Sequence, residues 1–205
     1  MENTVKISKR VIAYLLDILL IYILISAIVS IRFINPTYDK YVEAYEKYAE
    51  VLEDYTKGNI TDKEYTELNM DNIINVTKYS ISSNVVIILV IIGYFCLFQK
   101  FNNGQTLGKK IMKIKVVGVD NKNVNIGRYL LRILPMHYIF IGSILPILIN
   151  SIFIFVLKKN AYIMLNSITI YIIFFISIIS FVMMNIRKDK RGIQDLITNT
   201  KVVEE

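Results

Sequence analysis

The sequence has very few of the residues that most enzymes and metal-binding or disulfide-bonded proteins depend on. It contains one cysteine, Cys96, and one histidine, His137, in 205 residues. A lone cysteine excludes a framework of internal disulfides, and one histidine without a cluster of further ligands does not make a metal site. No Ser or Asp stands in a nucleophile setting on a water-facing segment. We therefore expect no enzymatic activity, no cofactor and no bound metal.

Charged residues are scarce in four long apolar blocks, of which the first contains Asp17 and the third Arg132. The chain is 54% hydrophobic with a mean hydropathy of +0.47, and each block approaches the roughly 20 residues that a bilayer core requires. This pattern predicts an all-α membrane protein with four transmembrane helices. The predicted order is a cytoplasmic N-terminus with span one (1–34), an extracytoplasmic helical hairpin (35–80), span two (81–98), a basic cytoplasmic loop with a small β-hairpin (99–128), span three (129–157), span four (161–186) and a cytoplasmic tail (187–205).

The basic residues indicate how the spans are oriented. They concentrate before span one, between spans two and three, and after span four, whereas the region 35–80 is acidic. Because cytoplasmic loops carry the excess of Lys and Arg, we expect a multi-pass protein of the cell membrane with both termini in the cytoplasm. The net charge of +7 then lies close to the membrane. It favours anionic lipid headgroups as partners over nucleic acid.

The acidic region predicts two packed helices. Asn35 and Pro36 are typical of a helix start, and a Tyr-rich apolar seam follows at spacings of three and four. Thr61 and Glu64 form a capping-box pattern that opens a second helix. The hairpin is either a spacer that packs on itself or a docking surface for a protein partner outside the cell.

The loop after span two contains Gly104-Gln105-Thr106-Leu107-Gly108-Lys109-Lys110, which superficially suggests a phosphate-binding loop. The spacing argues against it, because a Walker loop needs four residues between its glycines and a Ser or Thr after the Lys. Alternating residues after Lys113 predict a strand, and turn residues before Val124 predict a β-hairpin. The segment Thr200–Val203 could add an edge strand to it.

Asp17 lies within the first apolar block. An Asp near the centre of a membrane helix costs about 2.5 to 3.5 kcal/mol on insertion scales, so it is expected to be paired, hydrated or used. Arg10 and Tyr14 share its helix face, but Arg10 is about 10 Å away along the axis and should turn outward to the headgroups. The candidate partners are therefore a water, Tyr14, or an arginine of span three, Arg128 or Arg132.

His137, beside Pro135, would extend such a polar cluster with Asp17 and Arg132. A desolvated Asp in this setting can hold a proton until a cation displaces it, which is the physical basis of proton-coupled exchange. The alternative is a structural clasp that fixes helix register, with His137 forming an interhelical hydrogen bond. Arg191 and Asp195, spaced i and i+4, predict an ordinary surface ion pair.

The chain resembles the RDD family of membrane proteins. The resemblance depends on Arg10 and Asp17 in the first span, on the Gly104–Lys109 motif with its Thr106 and Gly108, and on the tail from Arg191 through Asp195 and Thr200 to Val203. It identifies Arg10, Asp17 and Asp195 as the Arg and two Asp of the family name. The sequence differs from the family pattern in its long 35–80 insert and in Asn199, where a Gly is expected.

The resemblance implies a transport role, and sodium/proton antiport for some members. Two functions are therefore consistent with the sequence. The first is a small transporter that exchanges cations and protons through Asp17, and we expect it to be a homo-oligomer because four spans leave little room for a pathway. The alternative is a membrane scaffold that recruits partners through its hairpin and basic inner face.

Overall fold

The computed structural model of the chain is mostly helical and describes residues 5–120, 123–134 and 144–205. The helices are α1 (Ile7–Val29), α2 (Tyr38–Thr56), α3 (Asp62–Tyr79), α4 (Ile81–Ile92), a π-helical segment (Gly93–Phe98), α5 (Gln99–Phe101), α6 (Leu107–Ile111), α7 (Ile126–Ile133), α8 (Ile144–Phe153), α9 (Lys159–Ile186) and α10 (Ile193–Ile197). The two strands are β1 (Ile114–Gly118) and β2 (Thr200–Glu204).

Three helical segments within the described residues are long and apolar enough to cross a membrane: Ile7–Val29, Ile81–Phe101 and Lys159–Ile186. They confirm predicted spans one, two and four. The predicted third span, 129–157, corresponds to α7 and α8 at its two ends, and its stretch 135–143 lies outside the described residues.

The described chain divides into two compact units. One comprises Met1–Ile25, Ile88–Leu145 and Ile170–Glu205, and the other comprises Ser26–Ile87 and Pro146–Thr169.

The second unit contains the predicted helical hairpin. The hydroxyl of Thr37 donates to the carbonyl of Tyr79 at 2.6 Å, and the rings of Tyr55 and Tyr65 stack with centroids 4.1 Å apart. Contacts that join the start of α2 to the end of α3, and the end of α2 to the start of α3, make the pair antiparallel. The capping box of Thr61 and Glu64 is also present, with the Thr61 N–H donating to the Glu64 carboxylate at 2.9 Å.

The predicted cap at Asn35 is wrong. Helix α2 begins at Tyr38, and Asn35 is fully buried, where its amide donates to the carbonyl of Val29 at 3.1 Å and to the hydroxyl of Ser83 at 3.0 Å. An asparagine side chain that is completely enclosed satisfies its donors more fully through such contacts than by capping a solvent-exposed helix.

The first unit contains the sheet, and it corrects the predicted β-hairpin. Strand β1 pairs antiparallel with β2, with Val116 opposite Val202 and Gly118 opposite Thr200. The predicted hairpin partner does not form a strand, because Ile126 is the first residue of α7 and Val124 precedes it without regular structure. The tail segment proposed as an added edge strand is therefore the actual partner of β1. This pairing joins the loop after the second span to the C-terminal tail.

Candidate functional site

Asp17 lies on the buried face of α1. Ala13, Asp17, Ile21 and Ile25 follow one another at intervals of four, and all are buried. The Asp17 side chain has no exposed surface. Because an unpaired carboxylate is very costly in such surroundings, its partners determine what it can do.

The Asp17 carboxylate is held by donors from the end of the second span and from α6. Its Oδ1 accepts hydrogen bonds from the Tyr94 hydroxyl at 2.6 Å and from the Gly108 N–H at 2.7 Å. Its Oδ2 accepts one from the Thr106 hydroxyl at 2.5 Å. We call these residues, together with Lys109, the Asp17 cluster. The glycine- and threonine-containing motif of the loop therefore binds a carboxylate of its own chain.

The local structure of the loop explains this motif. Thr106 is the N-cap of α6, and its Oγ1 accepts from the Lys109 N–H, so the same hydroxyl orients α6 and reaches Asp17. A Cβ on Gly108 would lie 2.1 Å from the carbonyl oxygen of Ala13, so only glycine lets α6 approach α1 this closely. Gly104 has φ +84°, in the region that favours glycine.

Lys109 supplies the positive charge nearest to Asp17. Its Nζ lies 3.7 Å from Asp17 Oδ2 and 3.1 Å from the Thr106 hydroxyl oxygen. Burial lowers the pKa of the Lys109 ammonium to about 8, although the neighbouring Asp17 opposes the shift. The charges of Arg132 and Arg10 lower this pKa further. A lysine with such a pKa changes its charge close to neutral pH.

Asp195 forms a second buried carboxylate site at the first turn of α10. Its Oδ2 accepts from Arg10 Nη2 at 2.6 Å and from the Gly192 N–H at 3.1 Å. Arg132 Nη1 lies 2.5 Å from Oδ1, as an ion pair and not as a hydrogen bond. Arg132 also donates to the hydroxyl of Thr200. We call these five residues the Asp195 cluster.

The electrostatics of Asp195 favour its ionised form. Burial alone would raise the pKa of this carboxyl. The charges of Arg132 and Arg10, with hydrogen bonds from Arg10 and from the Gly192 N–H, outweigh burial and hold the pKa below its usual value. Asp195 is therefore a fixed negative charge, whereas Lys109 of the Asp17 cluster has a pKa of about 8.

The comparisons with known proteins give the family. The sequence profile of the RDD family matches residues 4–199, nearly the whole chain. The chain belongs to the RDD family. Searches among curated proteins and among solved structures found no significant match. The residues that the RDD resemblance singles out, Arg10, Asp17 and Asp195, lie in the two clusters described above.

The expected pairing of these RDD residues is partly wrong. Arg10 does not turn outward to the headgroups, because its largely buried side chain pairs with Asp195 and donates to the carbonyl of Lys190 at 2.5 Å. Asp195 does not form the predicted surface pair with Arg191, whose guanidinium instead lies 2.9 Å from Asp189. An aspartate that is completely buried gains more from two enclosed arginines than from the more accessible Arg191, which lies just before the start of α10.

The predicted partners of Asp17 from the third span are also wrong. Arg132 is in the Asp195 cluster, and the backbone N–H of Arg128 donates to Asn125, which caps α7. Tyr14, the third candidate, lines a cavity beside the clusters. His137 lies outside the described residues.

Sequence reasoning missed Tyr94 as a partner of Asp17. One signal was available, because Tyr94 is the only hydroxyl-bearing residue in the apolar run 85–98. A phenol in such a run needs a hydrogen-bond partner, and the carboxylate of the neighbouring span is a natural acceptor. The π-helical segment Gly93–Phe98, on which Tyr94 lies, had no comparable signal.

Proposed function

We propose that this RDD protein is a cell-membrane transporter in which the Asp17–Lys109 pair exchanges a proton for a monovalent cation. One observation carries the proposal: a completely buried carboxylate within a membrane span has as its nearest cation a lysine whose pKa is lowered to about 8. Buried ionisable residues in membrane proteins commonly serve proton or ion pathways. Perturbed pKa values of this kind cluster at functional sites.

The exchange follows from charge balance at the pair. With Lys109 protonated, the two charges compensate each other. When Lys109 loses its proton, Asp17 keeps neutral donors only, from Tyr94, Thr106 and Gly108. A buried negative charge without a compensating cation is unfavourable, so it then attracts a monovalent cation or a proton from solution. Return of a proton to Lys109 would expel that cation.

The transporter would have four spans, with 129–157 as the third, and both termini in the cytoplasm. The basic segments flanking the spans support this orientation through the excess of Lys and Arg. They would contact anionic lipid headgroups. Because four spans leave little room for a pathway through one copy, the transporter would work as a homo-oligomer.

The test is cation and proton flux in proteoliposomes that contain the purified full chain. Wild-type protein should release protons from the vesicles when an inward sodium or potassium gradient is imposed. Asp17→Asn, which removes the negative charge and keeps the shape, should reduce this flux to the level of protein-free vesicles. Asp39→Asn is the matched control, because its carboxylate lies on the exposed start of α2. Exchange by Asp17→Asn at the wild-type rate would overturn the proposal.

One observation favours a second function, a membrane scaffold without transport. Three hydrogen bonds and an ion pair already satisfy Asp17, as a purely structural clasp between α1 and α6 would require. The hairpin of α2 and α3 would then recruit a protein partner outside the cell, with exposed rings such as Tyr45. Deletion of 39–71 should abolish capture of that partner and leave membrane insertion intact, whereas unchanged capture would exclude this role for the hairpin.

A further inference from the structure

The first unit has a partly open cavity of about 370 Å³ beside the two carboxylate clusters. Side chains from α1, the π-helical segment, α6, α7, α9 and the tail line it. This volume is near the lower end of the range of small-molecule pockets, roughly 300 to 1,000 Å³. It is sufficient for one narrow ligand.

All the charged side chains that are described as lining the cavity are positive. Arg10, Lys109 and Arg132 line it, and no carboxylate is among the described lining residues. Asp17 and Asp195 have no exposed surface, so they lie behind these cations and do not face the cavity. Together the three cations and two carboxylates leave one unit of positive charge. The cavity is therefore complementary to a monoanion.

Much of the remaining lining is apolar and belongs to two membrane spans. Val11 and Leu15 contribute from α1, and Phe181 and Met184 contribute from α9. Leu15 is 45% exposed and Phe181 is 50% exposed, so an apolar chain could contact both. A ligand that matches both parts of the lining needs an anionic head and an apolar tail.

We propose that this cavity binds a single-chain monoanionic amphiphile, with a carboxylate or phosphodiester head against Lys109 and Arg132 and its acyl chain along Leu15 and Phe181. The size of the cavity favours one chain over the two chains of a bilayer phospholipid. The inference concerns binding, and it stands whether or not the protein exchanges cations.

The experiment is equilibrium binding of radiolabelled palmitate to the purified full chain in an uncharged maltoside detergent. Unlabelled palmitate and lysophosphatidylglycerol are the two anionic competitors, and they distinguish a carboxylate from a phosphodiester head. Methyl palmitate and lysophosphatidylcholine are matched competitors without net charge, and inorganic phosphate is a head without a tail. We expect saturable binding that only an anionic amphiphile displaces.

Two pairs of variants locate the binding. Leu15→Trp adds bulk to the apolar lining, whereas Leu19→Trp, four residues along α1, adds it at a position that is not part of the lining and is 62% exposed. Lys109→Gln removes one lining charge, whereas Lys110→Gln removes an exposed charge next to it. We expect at least about tenfold weaker binding for Leu15→Trp and Lys109→Gln, in keeping with the loss of a charge-assisted contact in the second case, and wild-type affinity for the two controls.

Leu15→Trp also separates loss of binding from misfolding, because it leaves every residue of the Asp17 cluster and the Asp195 cluster unchanged. Two results would overturn the inference: equal displacement by methyl palmitate and palmitate, or equal affinity of Leu15→Trp and Leu19→Trp. Either would mean that palmitate enters the detergent micelle or a nonspecific surface and not this cavity.

Discussion

Arg10 and Asp195, which are 185 positions apart in the chain, form an ion pair with 2.6 Å between Nη2 and Oδ2. The pair ties the first turn of α1 to the short helix of the tail. Arg132 completes it from α7. Asp17 has a separate set of partners, which are Tyr94, Thr106, Gly108 and the ammonium of Lys109. The two buried aspartates Asp17 and Asp195 are therefore paired with different cations.

Removing the charge of Asp195 should destabilise the contact of the tail with α1 and α7. In Asp195→Asn, Arg10 and Arg132 keep their positive charges in a buried site without the carboxylate that compensates them. Loss of one partner from a buried pair typically costs about 3 to 5 kcal/mol, so we expect a marked fall in the thermal unfolding midpoint of the detergent-solubilised protein. Limited proteolysis should cleave the tail faster than in wild type.

The matched control is Asp189→Asn. Asp189 pairs with Arg187 and Arg191 on the exposed part of the tail. Exposed pairs contribute roughly 0 to 1 kcal/mol, so its unfolding midpoint should stay close to wild type. If the unfolding midpoint falls equally in both variants, the Asp195 cluster does not stabilise the protein more than an exposed ion pair does.

Gly108→Ala should separate α6 from α1. Its new methyl group would lie 2.1 Å from the Ala13 carbonyl oxygen and 2.8 Å from Asp17 Oδ1, so the two helices must move apart. Overpacking of this kind costs about 1 to 3 kcal/mol. Gly127→Ala is the control, since its methyl would meet nothing closer than 3.6 Å. Thermal unfolding should show a loss for the first variant alone, and an equal loss for both would refute the close approach.

Asn199 should accept glycine but not alanine. Its φ of +50° lies in the left-handed region, directly after the last turn of α10 and before β2. Glycine adopts this conformation without strain, whereas alanine pays about 1 kcal/mol or more. Asn199→Gly should therefore be as stable as wild type or more so, and Asn199→Ala less stable, in chemical unfolding. The opposite order would mean that the asparagine side chain matters more than its backbone conformation.

Lys109 should make stability depend on pH in a defined direction. Its pKa is about 8 in the folded protein and about 10.4 in an unfolded chain, so between these values the unfolded state binds more protons. The contribution of Lys109 to the free energy of unfolding therefore rises with pH across this window. We expect wild type to gain stability relative to Lys109→Gln between pH 8 and 10. Lys110→Gln should show the same pH profile as wild type, and a flat difference for Lys109→Gln would contradict the lowered pKa.

The sequence predicted local features better than long-range partners. Apolar runs located three spans, and the Thr61–Glu64 pattern located the start of α3, because both signals depend on neighbouring residues. The strand at Ile114 was also predicted, but its main partner was wrong, since pairing with the tail spans more than 80 residues. Sequence periodicity contains no information about which distant strand closes a sheet.

The candidate site divides in the same way. The cost of a carboxylate in a membrane span identified Asp17 as a residue that needs hydrogen-bond or ion-pair partners. The Gly104–Lys109 motif was also recognised from the sequence, but not that it binds Asp17. The contact that joins them depends on a close approach of α6 to α1 at Gly108, which no local pattern reveals. The partners of Arg10 and Arg132 were missed for the same reason.

The most direct test of the account is the pH profile of sodium/proton exchange in proteoliposomes with Lys109→Arg. Arginine keeps the positive charge beside Asp17 but does not lose its proton in this range. Wild-type exchange should change with a midpoint near pH 8, and Lys109→Arg should abolish exchange at every pH while inserting and folding normally. A Lys109→Arg variant that exchanges with the wild-type rate and midpoint would contradict the claim that this lysine carries the proton.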